Sequence, residues 1–261
     1  LMGRVLHLTV EESGAPPGET SWLLLGSLAR REPLPQSDVD TGLIWEAGND
    51  SDAAQIRSWA ARVLDNMERC GLERCADGAN ATHPLVGRSG ASAIAAATSW
   101  ISNPSQGKAL LMASRVADSR PISGIALGRS VSDAMLKTTR GQDFLSALLR
   151  FTLSRRPPIG FVRGFVVEHS GAHKGRLDLK SDGLVPIASL GRWIALVTGD
   201  DRGSTMTRLR LGNSPGLPPD DAAESLAASF GSIYRLLIRH EVKTIPATRP
   251  GTTWLHPNTV V

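Results

Sequence analysis

The sequence predicts a mixed α/β core with a small sheet, followed by a mainly helical region. Three observations predict it. Two short apolar runs, Trp22-Leu23-Leu24-Leu25 and Val39 to Trp45, lie close together in the chain with turn formers between them, which is the pattern of two buried strands that pair. Residues 53–70 then carry Ile56, Ala60, Val63, Leu64 and Met67 at three- and four-residue steps, the period of an amphipathic helix. Beyond residue 88 the periodic segments are almost all helical in spacing. The expected division is residues 1–88 as the core with a leading helix and residues 89–261 as a mainly helical domain.

Taken in order, residues 1–12 read as a helix broken by Gly14-Ala15-Pro16-Pro17-Gly18. The run ending at Leu25 meets Gly26, so the first strand enters a tight turn. Residues 28–32 suit one helical turn, stopped by Pro33 and Pro35. The second strand spans Val39 to Trp45, and Gly71 suits the end of the helix that follows. An extended stretch is expected near residues 73–80. Helices are expected over 89–101, 107–118, 138–154 and 220–242, with a joint at Pro157-Pro158 and a loop over 212–219. The chain opens abruptly inside a helix, and it reads as the C-terminal part of a longer protein.

Composition narrows the function classes. Of 261 residues, 41% are hydrophobic and 21% charged, an ordinary balance for a protein with a real core. The formal charge of +4 suits a small anionic ligand. Aromatics are only 5%, and no basic run alternates with them, so a stacking platform for nucleic acid is not expected. No segment is long and apolar enough to span a bilayer. Two cysteines, Cys70 and Cys75, are too few for a disulfide-built domain and suit reduced thiols in the cytoplasm. A metal site from Cys70, Cys75 and His83 is outweighed by that reading. His169 and His173 flank a Ser-Gly-Ala loop where a helical zinc pair is not expected, and His240 reads as a core or capping residue.

The informative motif is Gly26-Ser27 followed by Asp38-Val39-Asp40. Gly26 lets backbone approach a phosphate closely. Ser27 and the amides of the next turn can donate to phosphate oxygens. Asp38 and Asp40, two apart on a strand, share one face. Their mutual repulsion calls for a cation, and Mg²⁺ (or Mn²⁺) favours one or two carboxylates plus phosphate oxygens. The bland reading is a polar hairpin with solvated aspartates. No phosphate-binding P-loop motif is present, and Ser89 and Ser92 lack a Gly-x-Ser-x-Gly elbow.

Leu25 to Glu32 followed by Ser37-Asp38-Val39-Asp40 resembles the signature of the DNA polymerase β-like nucleotidyltransferase superfamily. More narrowly, it is similar to PII uridylyltransferases and to the GlnD-like family found behind CBS or cyclic-nucleotide-binding domains. Arg30 and Glu32 match that signature, while Ala29 and Arg31 stand where it has glycines. The likeness continues through Cys75-Ala76-Asp77-Gly78, Trp100, the stretch from Asp118 to Gly124, Leu177-Asp178-Leu179-Lys180, Arg192, Ser204-Thr205 and Arg208-Leu209. It departs at Asn80-Ala81, and the superfamily's third carboxylate has no clear match; Asp77 lies in a plausible strand that no motif fixes.

The resemblance implies a nucleotidyltransferase core followed by a mainly helical domain. Asp38 and Asp40 would be catalytic and metal-binding, with Gly26, Ser27, Arg30 and Lys180 on the nucleotide. The implied reaction moves NMP from a nucleoside triphosphate to a hydroxyl, with a protein acceptor such as a PII-like signalling protein and a sensory domain upstream. The alternative is a catalytically silent regulatory nucleotide-binding module. Asp118 and Arg120, two apart after a helix, are expected to form an ion pair that orders the interface between the two halves, ahead of a catalytic role.

Overall fold

The computed structural model describes residues 1–46, 52–105, 108–138, 141–154, 167–200, 203–211, 217–244 and 253–259. The joint at Pro157-Pro158 and most of the loop expected over 212–219 lie outside the described residues. The chain forms two units: Leu1–Glu32 with Ser37–Phe144, and Pro33–Gln36 with Leu145–Val261.

The first unit runs α1 (Met2–Ser13), β1 (Thr20–Leu25), α2 (Gly26–Ala29), β2 (Thr41–Trp45), α3 (Ala53–Arg69), β3 (Gly87–Ser89), α4 (Gly90–Ser102), α5 (Ala109–Ala117), β4 (Ser119–Pro121) and α6 (Ile125–Thr138). The sheet order is β3-β2-β1-β4. β1 pairs antiparallel with β2, Trp22 opposite Leu43, and antiparallel with β4, Leu24 opposite Arg120. β2 pairs parallel with β3. The sheet is therefore small and mixed, as the sequence predicts.

Alternation along β1 explains its continuous apolar run. Trp22 and Leu24 join Leu43 and Trp45 of β2 in a core shared with Val5 of α1 and Ile56, Val63 and Met67 of α3. Leu23 and Leu25, with Ile44, face a second core built by Ala93 and Ala97 of α4, Met112 of α5 and Val131 of α6. Both faces of the sheet are covered, so neither register position needs a polar side chain. A buried tryptophan such as Trp22 removes about 150–250 Å² from water, worth roughly 4–6 kcal/mol of transfer free energy.

The extended stretch expected near residues 73–80 is not a strand. Val39 and Arg74 form one isolated parallel bridge, and turns follow. Gly78, at φ +81°, lies in the left-handed region and ends any ladder. The third strand of the core starts later, at Gly87.

α7 (Gln142–Leu153) runs from the first unit into the second. The second unit continues with β5 (Leu177–Asp178), a π-helical segment Leu179–Leu184, α8 (Val185–Thr198), α9 (Thr205–Leu209), α10 (Asp220–Thr244) and β6 (Trp254–Leu255). β5 and β6 pair antiparallel. Asp178 starts the π-helical segment by accepting from the Lys180 and Ser181 amides at 3.2 and 3.1 Å. The core gathers Leu34, Leu177, Leu179, Leu184, Phe230 and Leu237. Tyr234 donates to the Pro33 carbonyl at 2.8 Å, which fastens residues 33–36 to α10. Among the described residues no helix is long and apolar enough to cross a membrane.

Candidate active site

The end of β1 is tied to the strand beside it. Leu25 N–H donates to the Asp40 carbonyl at 3.0 Å, and Gly26 N–H donates to the Asp118 carbonyl at 2.9 Å. The chain then turns at Gly26, φ +56°, into α2. A Cβ built on Gly26 would lie 3.1 Å from Asp40 Oδ2. Glycine is thus required twice, by the backbone and by the carboxylate beside it. The residue before α2 is Leu25, which offers no side-chain cap; with Gly26 N–H taken by the Asp118 carbonyl, the Ser27 amide is the one the turn can offer to solvent or an anion.

Asp38 and Asp40 flank Val39, which is buried and whose N–H donates to the Glu73 carbonyl at 2.7 Å. Burying Val39 sends the two aspartates to the opposite face, where both keep solvent access. Cys75, buried beneath them, completes the group. One ligand atom from each of the three residues lies within 4.8 Å of the others. At roughly 4 Å two like charges repel by about 1 kcal/mol in bulk water and about 4 kcal/mol near a protein surface. The arrangement therefore favours a cation. Burial pushes the Cys75 thiol up to about 12, helped by its hydrogen bonds to Asp40 and Asp38. At neutral pH the group stays S–H and donates to the carboxylates, orienting them.

These residues fit a small divalent cation. Mg²⁺ takes one or two carboxylates and fills its remaining positions with water and phosphate oxygens. Asp38 and Asp40 supply the two, on the open side of the cluster. The protonated thiol is a poor ligand for a hard cation and acts from behind.

Arg30 is placed differently from a ligand-facing cation. Its side chain is 9% exposed, donates from Nε to Glu32 Oε2 at 3.0 Å, and pairs with the fully buried Asp118. Burial lowers its pKa, but Asp118 and Glu32 together outweigh this, and the guanidinium is held more firmly charged than usual. The expected Asp118–Arg120 pair is corrected by the same geometry. Asp118 turns inward to Arg30, while Arg120 donates to the Ala29 and Leu28 carbonyls at 3.0 and 3.1 Å. Both arginines thus fasten the Gly26–Glu32 turn, one through a carboxylate and one through carbonyls.

The structure brings Gly26, Asp38 and Asp40 together, with Ser27 next in the chain at the start of α2. Lys180 lies in the second unit, half-buried in the π-helical segment. Asp77 sits in an exposed turn instead of a strand, and the metal-competent group among the described residues does not include it. His169 is exposed, and His173 stacks on Trp254 at 4.3 Å. Cys75, weighed in the sequence only with Cys70 and His83 and set aside there, joins Asp38 and Asp40 instead. Its signal was the Cys-Ala-Asp-Gly turn, which places a thiol where the chain passes β2.

Two comparisons bear on this site. Residues 1–107 match the family described as "Putative nucleotidyltransferase DUF294". Residues 142–260 match the one described as "Putative nucleotidyltransferase substrate binding domain". The chain has no match among the curated proteins.

Proposed function

We propose, from a chain whose residues 1–107 and 142–260 match two nucleotidyltransferase family models, that it moves a nucleoside monophosphate from an NTP to a hydroxyl on a protein. The observation that supports this most is the convergence of Asp38 and Asp40 beside the Gly26 turn. The triphosphate lies against the Gly26 turn, where no side chain intrudes, and the Ser27 amide and hydroxyl are the donors. The acceptor oxygen bonds to the α-phosphorus, the bond to the α,β-bridging oxygen breaks, and pyrophosphate leaves; the hydroxyl proton goes to water. A bound Mg²⁺ or Mn²⁺ on Asp38 and Asp40 supplies neutralisation of the developing charge. Arg30, already met by Asp118 and Glu32, acts on the nucleotide through the turn it holds. The likeness to PII uridylyltransferases supports a PII-like protein as acceptor, an upstream sensory region and a cytoplasmic setting.

The test is thermal unfolding with each NTP, with and without Mg²⁺, on the parent and on Asp38→Asn. A ligand at 100 times its Kd adds about 2.7 kcal/mol, a shift of roughly 5–10 °C for a chain of this size. A Mg²⁺-dependent shift lost in Asp38→Asn supports the site; no shift with any NTP rejects it. Transfer is then read by labelling a protein acceptor with the NTP so identified. A second reading, a regulatory nucleotide-binding module without transfer, is favoured by one observation: a thiol and not a third carboxylate completes the cluster. Binding without any labelled acceptor decides for it.

A further inference from the structure

The loop that brings Cys75 to the aspartates turns its next residues toward a different space. Asp77 and Gly78 form part of one wall of a cavity of about 530 Å³. His83 and Leu85 continue that wall. The opposite wall is one face of α5 with the residue before it: Lys108, Leu111, Met112 and Arg115. Positions 108, 111, 112 and 115 share a face at 3.6 residues per turn, and the rise sets Lys108 and Arg115 roughly 10 Å apart along the axis.

The donors there are set in place. Leu85 N–H donates to His83 Nδ1 at 3.2 Å, so the proton of the neutral ring sits on Nε2. Gly78, at φ +81°, makes room for the ring: a Cβ there would lie 3.1 Å from His83 Cδ2 and 3.3 Å from Nε2. The ring is thus seated against a bare glycine that also lines the cavity. Three arginines are met by carboxylates, Arg30 by Glu32 and Asp118, Arg74 by Asp65 and Glu68, Arg210 by Glu224. Lys108 and Arg115 have no such partner among the described residues. Two unmet cations and a seated imidazole N–H outnumber the one carboxylate, Asp77. Leu85 and Leu111 are 41% and 36% exposed and add apolar surface at the same place. The volume falls within the range of small-molecule sites, about 300–1,000 Å³.

We propose that this cavity is a second ligand site, taking a small phosphorylated molecule whose phosphate is held by His83, Lys108 and Arg115 and whose body lies against Leu85 and Leu111. Asp77 accepts from a hydroxyl of that ligand. The site does not depend on a cation at Asp38 and Asp40, and so stands apart from the transfer reading.

Titration calorimetry without divalent cations separates the two. The probes are inorganic phosphate and ribose 5-phosphate, on the parent chain, on Lys108→Gln/Arg115→Gln, and on Asp38→Asn. Saturable binding is expected, tighter for the sugar phosphate, weakened at least about tenfold by the double substitution and unchanged by Asp38→Asn. Circular-dichroism melts check that the double variant is folded. No saturable binding, or equal binding by the double variant, overturns the proposal. Repeating the titration with saturating Mg²⁺–NTP identifies the source of the phosphate. Persistent sugar-phosphate binding assigns the cavity to a separate molecule. Competitive displacement, with the double variant weakening the NTP by the same factor, gives the cavity to the nucleotide's own phosphates and overturns the second-ligand assignment.

Discussion

Asp40 Oδ2 lies 3.1 Å from the point where a side chain at Gly26 would begin. The phosphate-side turn and the metal-side carboxylate are therefore one steric unit, joined again by the Leu25–Asp40 backbone hydrogen bond. Gly26→Ala tests this. The left-handed φ of +56° costs a non-glycine residue roughly 1–2 kcal/mol, and the new methyl pushes on Asp40. The expected outcome is a modest loss in denaturant stability together with complete loss of the Mg²⁺-dependent NTP shift. Retained binding would show that the turn and the carboxylate act independently.

Arg30 predicts a larger structural effect. Its partner Asp118 is fully buried and also holds the Gly26 amide through its carbonyl. Arg30→Met takes the guanidinium away from a buried carboxylate, which costs about 3–5 kcal/mol. Adding Asp118→Asn should recover part of that loss, because the buried charge goes with it. Urea unfolding of the single and double variants measures both. Equal stability of parent and Arg30→Met would mean that the guanidinium is not the partner of Asp118 in solution.

The two thiols should differ in reactivity. Cys70 is exposed and Cys75 buried, and Cys75 is pushed up to about 12 by burial and by Asp40. At pH 8 its thiolate fraction is about one in ten thousand, and the thiolate is the reactive form. Iodoacetamide followed by peptide mass spectrometry should label Cys70 in the folded chain and leave Cys75 untouched until denaturant is added. Matched labelling rates would place Cys75 outside the carboxylate group.

How much of this was legible in the sequence depends on the range of the interaction. Gly26-Ser27 and Asp38-x-Asp40 sit within one strand–turn–strand segment, so spacing alone put them together. Arg30 and Asp118 meet across 88 positions, and no local pattern pairs them; the nearer candidate, Arg120, draws the eye instead. Helix α6 has weak sequence signals because Gly128 interrupts it. That glycine is there for close approach, since a Cβ would lie 2.3 Å from Ser21 Oγ and 2.7 Å from Pro121 Cβ. Helix α8 opens with Val185 and carries Pro186 in its first turn, where a missing N–H costs nothing. The false strand near residues 73–80 reflects the opposite case: a real backbone alignment at Val39 and Arg74 that stops after one bridge.

Arg74 sits at that bridge and grips α3 as well. It donates to Glu68 through two bonds of 2.6 and 2.8 Å and to Asp65 at 2.6 Å, so it ties the helix to the segment that carries Asp38 and Asp40. The hydrogen bond from Arg74 holds the Glu68 carboxyl below its ordinary value of 4.5. A depressed folded-state value contributes stability above the unfolded value, and that contribution fades as pH falls through the folded one. Parent and Glu68→Gln should therefore differ in urea midpoint at pH 7 and converge as the pH drops well below 4.5. The pair is exposed, so 1 M salt should shrink the pH 7 difference too. If the two proteins differ as much at pH 3 as at pH 7, the tie between α3 and the aspartate strand does not run through the Glu68 charge.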